Sequence, residues 1–78
     1  MKAALLQLAS GDDPAANLPV TRSLVAEAVA QGAGFVLTPE VTNCRSLDRA
    51  HQRAVLRHEH EDETLAALSA DAAAHRIW

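Results

Sequence analysis

The chain reads as an α/β protein: a βαβ unit in the leading 40 residues, then further helices. Three observations predict this. A nearly unbroken apolar run covers residues 3–9. An amphipathic stretch then carries Leu24, Val25, Ala28 and Val29 at helical spacing, with Arg22 and Glu27 off that stripe. A second apolar run, Phe35-Val36-Leu37, stops at Thr38-Pro39. Two strands joined by a helix in this order are expected to be parallel, with a right-handed crossover.

The first run, followed by Ser10-Gly11-Asp12-Asp13-Pro14, predicts a strand over about 3–9, and its continuous apolar character suits a strand covered on both faces. A helix over about 14–31 follows. Asp13 can cap it with Pro14 in the first turn, or Asn17 can serve as cap with Pro19 just inside, since a proline deeper in a helix removes a hydrogen bond. Gly32 is placed to end it, and the second strand spans about 34–38. Proline at 39 cannot donate to a central ladder.

Beyond Glu40 the pattern changes. Residues 41–47 read as loop. A helical segment over about 48–58 puts Ala50, Ala54 and Val55 on one side, and the acidic run 59–63 separates it from another helix over about 63–75. In that helix Leu65, Leu68, Ala72 and Ala73 share a face, and Asp62 can cap it. Ile77-Trp78 then stands where an α/β protein begins its next strand, so the chain reads as a piece cut from a larger domain, here taken as residues 1–78.

Composition sets limits. The chain is 49% hydrophobic, but 17 of its residues are alanine, and Leu, Val, Ile and Phe together number 18, so the core is thin. Small domains of this kind usually rely on a disulfide or a metal. One cysteine forms no internal disulfide, and four histidines without cysteine partners match no zinc-finger spacing. A net charge of −3 gives no electrostatic reason for nucleic acid or an anionic membrane as partner. Residues 1–10 superficially suit a signal peptide, but the apolar stretch is short and interrupted by Gln7; a first strand and a cytoplasmic location, with Cys44 reduced, are the expectation.

Glu40 is the leading candidate for chemistry. Ligands of open α/β sheets bind outside the carboxyl ends of parallel strands, and Glu40 falls just past the end of the second strand, where a carboxylate can serve as general base. On topology alone, an ordinary exposed loop glutamate is the plainer reading. The order Gln7, Asn17, Glu27-Ala28, Gly32-Ala33-Gly34 and then Phe35-Val36-Leu37-Thr38-Pro39-Glu40 resembles the amino-terminal segment of the carbon–nitrogen hydrolases, the nitrilase superfamily, with an amidase-like flavour over residues 64–78. The Pro-Glu closing the second strand is the specific element.

That resemblance implies the amino-terminal part of an αββα sandwich hydrolase that cleaves non-peptide C–N bonds of small amides with a glutamate, a lysine and a cysteine. The thiolate attacks, the glutamate moves the proton and the lysine stabilises the oxyanion. Glu40 matches the glutamate. Lys2, the only lysine, begins the first strand, whose two ends lie on the order of 20 Å apart. Cys44 follows Glu40 too closely to be the family nucleophile, which comes from a later strand, and reads as a partly buried inert thiol. The chain alone is therefore expected to be inactive. No cofactor and no metal are implied, and a full-length enzyme of this kind is expected to be a homo-oligomer acting on a small amide-type substrate.

Other features are weaker. Arg45, Arg49, Arg53 and Arg57 recur every four residues and would form a basic stripe on a helix, more often a solvated face than a phosphate-binding one. His51, His58 and His60 lie among Glu59, Glu61 and Asp62, but His58 and His60 would diverge on a helix. Asp71 is placed to pair with His75. Arg76 stands where the family commonly has a glycine, at a position where any other residue carries a cost. The alternative to the hydrolase reading is a small non-catalytic α/β module that binds a protein partner through its arginines or an apolar sheet face.

Overall fold

Residues Ala3–Leu5 (β1) and Phe35–Leu37 (β2) pair as parallel strands in the computed structural model, which describes residues 1–78. The register sets Ala3 beside Phe35, Ala4 beside Val36 and Leu5 beside Leu37. The helix Pro14–Ala30 (α1) makes the crossover, so the βαβ unit is present. The ladder is shorter than the apolar run that announces it. Leu6 N–H still donates to Leu37 O at 2.9 Å, but β2 ends before Pro39, and residues 7–9 have no strand to pair with.

A third rung lies on the other edge of β2. Trp78 N–H donates to Gly34 O at 3.1 Å and Val36 N–H donates to Trp78 O at 2.9 Å. These are the hydrogen bonds of a parallel neighbour. Trp78 thus stands where a further strand would run beside β2.

Asp13, not Asn17, caps α1. Its carboxylate accepts from Ala15 N–H at 3.0 Å, with Pro14 at the first helical position, a cap worth about 1 kcal/mol. Pro19 sits inside the helix, exposed, where its missing N–H leaves the Ala15 carbonyl to solvent. At the other end Gly32 has φ 89°, and two closing hydrogen bonds run from Gly32 N–H to Val29 O and from Ala33 N–H to Ala28 O. In this arrangement a left-handed residue lets the chain double back and satisfy the last carbonyls, and glycine takes it without strain. Ala28 and Ala33, which meet through this turn, are both buried.

The second half carries a short helix, Arg49–Val55 (α2), a 3₁₀ turn at Glu59–Glu61 and a longer helix, Glu63–His75 (α3). Asp48 caps α2 through Ala50 and His51 N–H, and Asp62 caps α3 through Leu65 N–H at 2.7 Å. The inward faces differ from those the spacing predicts. Ala50 and Ala54 are exposed while His51, Gln52 and Val55 are half-buried. In α3, Leu65 and Ala73 are exposed, Thr64 is buried, and Ala67, Leu68, Asp71 and Ala72 are half-buried. The α3 face is rotated because α3 docks on α1 through a polar pair, Arg22 with Asp71, rather than through leucines alone.

The arginine stripe does not form. Only Arg49 and Arg53 lie in α2, and Arg57 turns back to donate to Ala54 O and Leu56 O. His58 and His60, expected to diverge, stack instead, their rings parallel within 5° and 6.0 Å apart, because His58 is extended ahead of the 3₁₀ turn rather than helical.

Burial is one-sided. Ala4, Leu6, Leu8 and Val36 are half-buried, while Ala3, Leu5, Gln7, Phe35 and Leu37 face solvent, so one face of the sheet is covered rather than both. Leu5 is 76% exposed, Leu37 52% and Trp78 78%. The molecule is a slab, 41 × 24 × 17 Å, and only five residues are buried: Thr21, Val25, Ala28, Ala33 and Thr64. Its accessible surface of 5674 Å² exceeds the ~4,600 Å² expected of a folded monomer of this mass. No helix is long and apolar enough to cross a membrane.

Candidate functional site

Because β1 and β2 are parallel, the segments that follow them leave the sheet at the same edge, and that edge is where the chain concentrates its polar cross-links. Ser10 Oγ donates to Thr42 O at 3.1 Å, Arg45 N–H to Gly11 O at 2.8 Å, and Cys44 Sγ lies 3.3 Å from Asp12 O. Asn17 joins in from α1, where its Nδ2 reaches Gly11 O and Asn43 O. From α2, His51 Nε2 lies 2.6 Å from the same Asp12 carbonyl. Residues 10–12 and 39–45 are thus laced into one unit at the carboxyl edge of the sheet.

Glu40 lies in this unit, three residues beyond the last residue of β2, at a turn and exposed. Pro39 precedes it, and the Pro39 carbonyl accepts from Thr42 Oγ1 at 2.5 Å, which closes the turn around Glu40. The Glu40 carboxylate takes part in none of these cross-links. It is an open carboxylate on a backbone braced on both sides, able to accept a proton but supplying no nucleophile.

Lys2 is held at the opposite edge. Its Nζ donates to Gln31 O at 2.6 Å, and its carbonyl accepts from Gly34 N–H. A lysine there satisfies a free carbonyl at the end of α1 and sits at the negative end of the helix dipole. Its charge serves the helix, not the edge that bears Glu40. Cys44, half-buried, is engaged with the Asp12 carbonyl, as a thiol donor would be. No group of three or more His, Cys, Asp or Glu side chains is arranged to hold a metal ion.

Two concavities lie away from Glu40. One, about 240 Å³, opens between the starts of α1 and α3, where Asp13, Leu18, Val55, Arg57 and Asp62 line it. The other, about 360 Å³, is the groove beside Arg22 and Asp71. In that pair the hydrogen bonds from Arg22 hold the Asp71 carboxyl below the ordinary carboxylate range, against the opposing effect of desolvation, and the same hydrogen bonds raise the guanidinium. Sequence spacing had offered His75 as the partner of Asp71; Arg22, 49 positions away, is the one that binds it.

Asn17 and Thr21 are the residues that sequence reasoning undervalued. Asn17 reads from sequence as a helix cap, yet it clamps loops. Thr21 is 1% exposed, with its hydroxyl donating to Asn17 O one turn back. A polar residue one helical turn after another, on the face that also carries Val25 and Ala28, is the signal that would have found it.

The profile of the carbon-nitrogen hydrolase family matches residues 2–78, and the chain belongs to that family. Two curated proteins of Mycobacterium tuberculosis are similar to it. Hydrolase Rv0480c, of strain ATCC 25618 / H37Rv, and Hydrolase MT0498, of strain CDC 1551 / Oshkosh, are each 49% identical to it over 45 residues. That stretch is 58% of this chain and 16% of each relative, so the chain aligns with only a small part of their length. No solved structure matches it significantly.

Proposed function

We propose that the chain is the amino-terminal part of a cytoplasmic carbon–nitrogen hydrolase acting on small amides, and that Glu40 is its general base. The observation that carries this reading is the position of Glu40: it follows β2 at the carboxyl edge of a parallel pair, in a loop tied to the loop after β1 and to α1, while α2 holds the loop after β1. A glutamate there takes the proton from a thiol nucleophile and returns it to the leaving amine. The lysine and cysteine of such a site come from residues other than Lys2 and Cys44. The open apolar face of β1 and β2 supports the same reading, since a sheet of this composition is stable when both faces are covered.

The test grafts residues 2–78 in place of the equivalent segment of Hydrolase Rv0480c, with the 45 aligned residues setting the register of the graft, and follows ammonia release from a panel of small primary amides. The chimaera is expected to hydrolyse at least one of them, the 78-residue chain none. Glu40→Gln is expected to lower kcat of the chimaera roughly 10²–10⁴-fold, the usual contribution of a general base. Undiminished activity in that variant contradicts the assignment.

A further inference from the structure

Asn17 stands in the second turn of α1, half-buried, and spends its side-chain amide entirely on backbone atoms of the two edge loops. Nδ2 donates to Gly11 O at 2.9 Å and to Asn43 O at 2.8 Å, and Oδ1 accepts from Gly11 N–H at 2.9 Å. Two donors and one acceptor pointing this way are a pattern only a primary amide supplies. Aspartate would set a carboxylate against two carbonyl oxygens. Leucine would leave all three partners without Asn17.

The segment that carries Glu40 is fixed at two points. At one end, Leu37 O accepts from Leu6 N–H within the sheet; at the other, Asn43 O is held by Asn17. Between them Thr42 is tied both to Ser10 and to Pro39. Glu40 makes no side-chain bond of its own, so these anchors set the position of the backbone from which its carboxylate extends. Removing the Asn17 anchor leaves the far end held only by the ties of Ser10 to Thr42, Cys44 to Asp12 and Arg45 to Gly11, while β2 stays in its ladder.

We infer that Asn17 is a positioning residue for the reaction: its amide clamps residues 39–45 to residues 10–12 and so sets the backbone position from which the Glu40 carboxylate reaches. The inference rests on Glu40 as the general base. It extends that reading by assigning the reach of Glu40 to a residue 23 positions earlier, on a different element. Misplacing a reacting group by about 1 Å can cost on the order of 10²-fold in rate.

The experiment has two readouts. In the 78-residue chain, hydrogen exchange at the Arg45 amide, which donates to Gly11 O beside the Asn17 contacts, reports whether the two loops stay together. Asn17→Asp is expected to speed that exchange about tenfold or more while the α1 amides of Ala28 and Val29 keep their rates. An Arg45 amide as fast in the native chain as in the variant overturns the clamp. In the chimaera, Asn17→Asp is expected to lower kcat roughly 10–100-fold with KM changed little, and to have no further effect when combined with Glu40→Gln. That non-additivity separates positioning from general destabilisation, which would lower activity equally in both backgrounds. If Glu40→Gln is harmless, the general-base reading fails. If Glu40→Gln is damaging but Asn17→Asp is harmless, or multiplies the loss, only the positioning role fails. Should Asn17→Asp unfold the protein, Ser10→Ala, which removes the parallel tie to Thr42, is expected to show a smaller drop with the same non-additivity, and an additive loss there overturns the inference.

Discussion

Arg22 and Asp71 meet in a two-point ion pair that fastens α1 to α3: Nε donates to Oδ2 at 2.9 Å and Nη2 to Oδ1 at 2.8 Å. The fork geometry matches guanidinium to carboxylate. Half of the Arg22 side chain is exposed, whereas only 16% of that of Asp71 is, so the carboxylate is the sheltered member. Beyond α3 the chain returns to the sheet, where Trp78 pairs beside β2.

Asp71 titrates below its ordinary value near 3.8 because the ionised form is bound by Arg22. A depressed carboxylate contributes stability that is present above the unfolded-state value and is lost as pH falls through the lower, folded one. Urea midpoints of the native chain are therefore expected to fall in the acid range below pH 4, in part through this pair. Asp71→Asn is expected to lower the midpoint at pH 7 and to flatten that part of the acid decline. An Asp71→Asn midpoint equal to that of the native chain at pH 7 contradicts a role for the pair.

Arg76 closes α3 with φ 54° and ψ 47°, the left-handed conformation, and its closing bonds repeat those of Gly32: Arg76 N–H to Ala73 O, and Ile77 N–H to Ala72 O. The same turn is thus built once with glycine and once with a residue that bears a Cβ. A left-handed non-glycine residue costs roughly 1–2 kcal/mol. Arg76→Gly is expected to stabilise the chain by about 1 kcal/mol, less than the full strain because glycine loses more entropy on folding. The urea midpoint, with unchanged slope, is the measurement.

Gly32→Ala should do the reverse. A methyl group at Gly32 meets nothing within 4 Å, so space is not the obstacle; the φ of 89° is. A loss of about 1–2 kcal/mol is expected from backbone strain alone. A neutral result would show that α1 can end without a left-handed residue.

Lys2 provides a functional control. It caps α1 at the edge opposite Glu40, so Lys2→Met in the chimaera is expected to leave kcat within about twofold of the parent, far short of the factors that general acid–base groups supply. A loss of several orders of magnitude would place Lys2 in the chemistry.

The βαβ unit was legible because each of its parts has a local signal: two apolar runs stopped by turn residues, a helical stripe, and a glycine where the helix ends. The position of Glu40 followed from that topology together with Pro39. What sequence did not reveal were partnerships across distance. Arg22 and Asp71 lie 49 positions apart, and the i to i+4 spacing of Asp71 and His75 pointed to a nearer partner. Asn17 had two readings, cap or not, because capping and loop clamping use the same amide; Asp13 won the cap, since Pro14 next to it can start a helix without an N–H. The faces of α2 and α3 depart from their spacing because alanine carries little directional weight: Ala50, Ala54 and Ala73 fit a buried stripe by spacing and lie exposed. The histidines at 58 and 60 stack because His58 is extended ahead of a 3₁₀ turn where a helix was expected.

The most direct measurement of the central claim is the pH–rate profile of amide hydrolysis by the chimaera with and without Glu40→Gln. Glu40 as general base predicts that the acid limb of the native profile disappears in the variant, together with a fall of roughly 10²–10⁴-fold at the optimum. An acid limb that survives unchanged, with kcat preserved, would mean that Glu40 is only an exposed turn residue and that the proton is carried elsewhere.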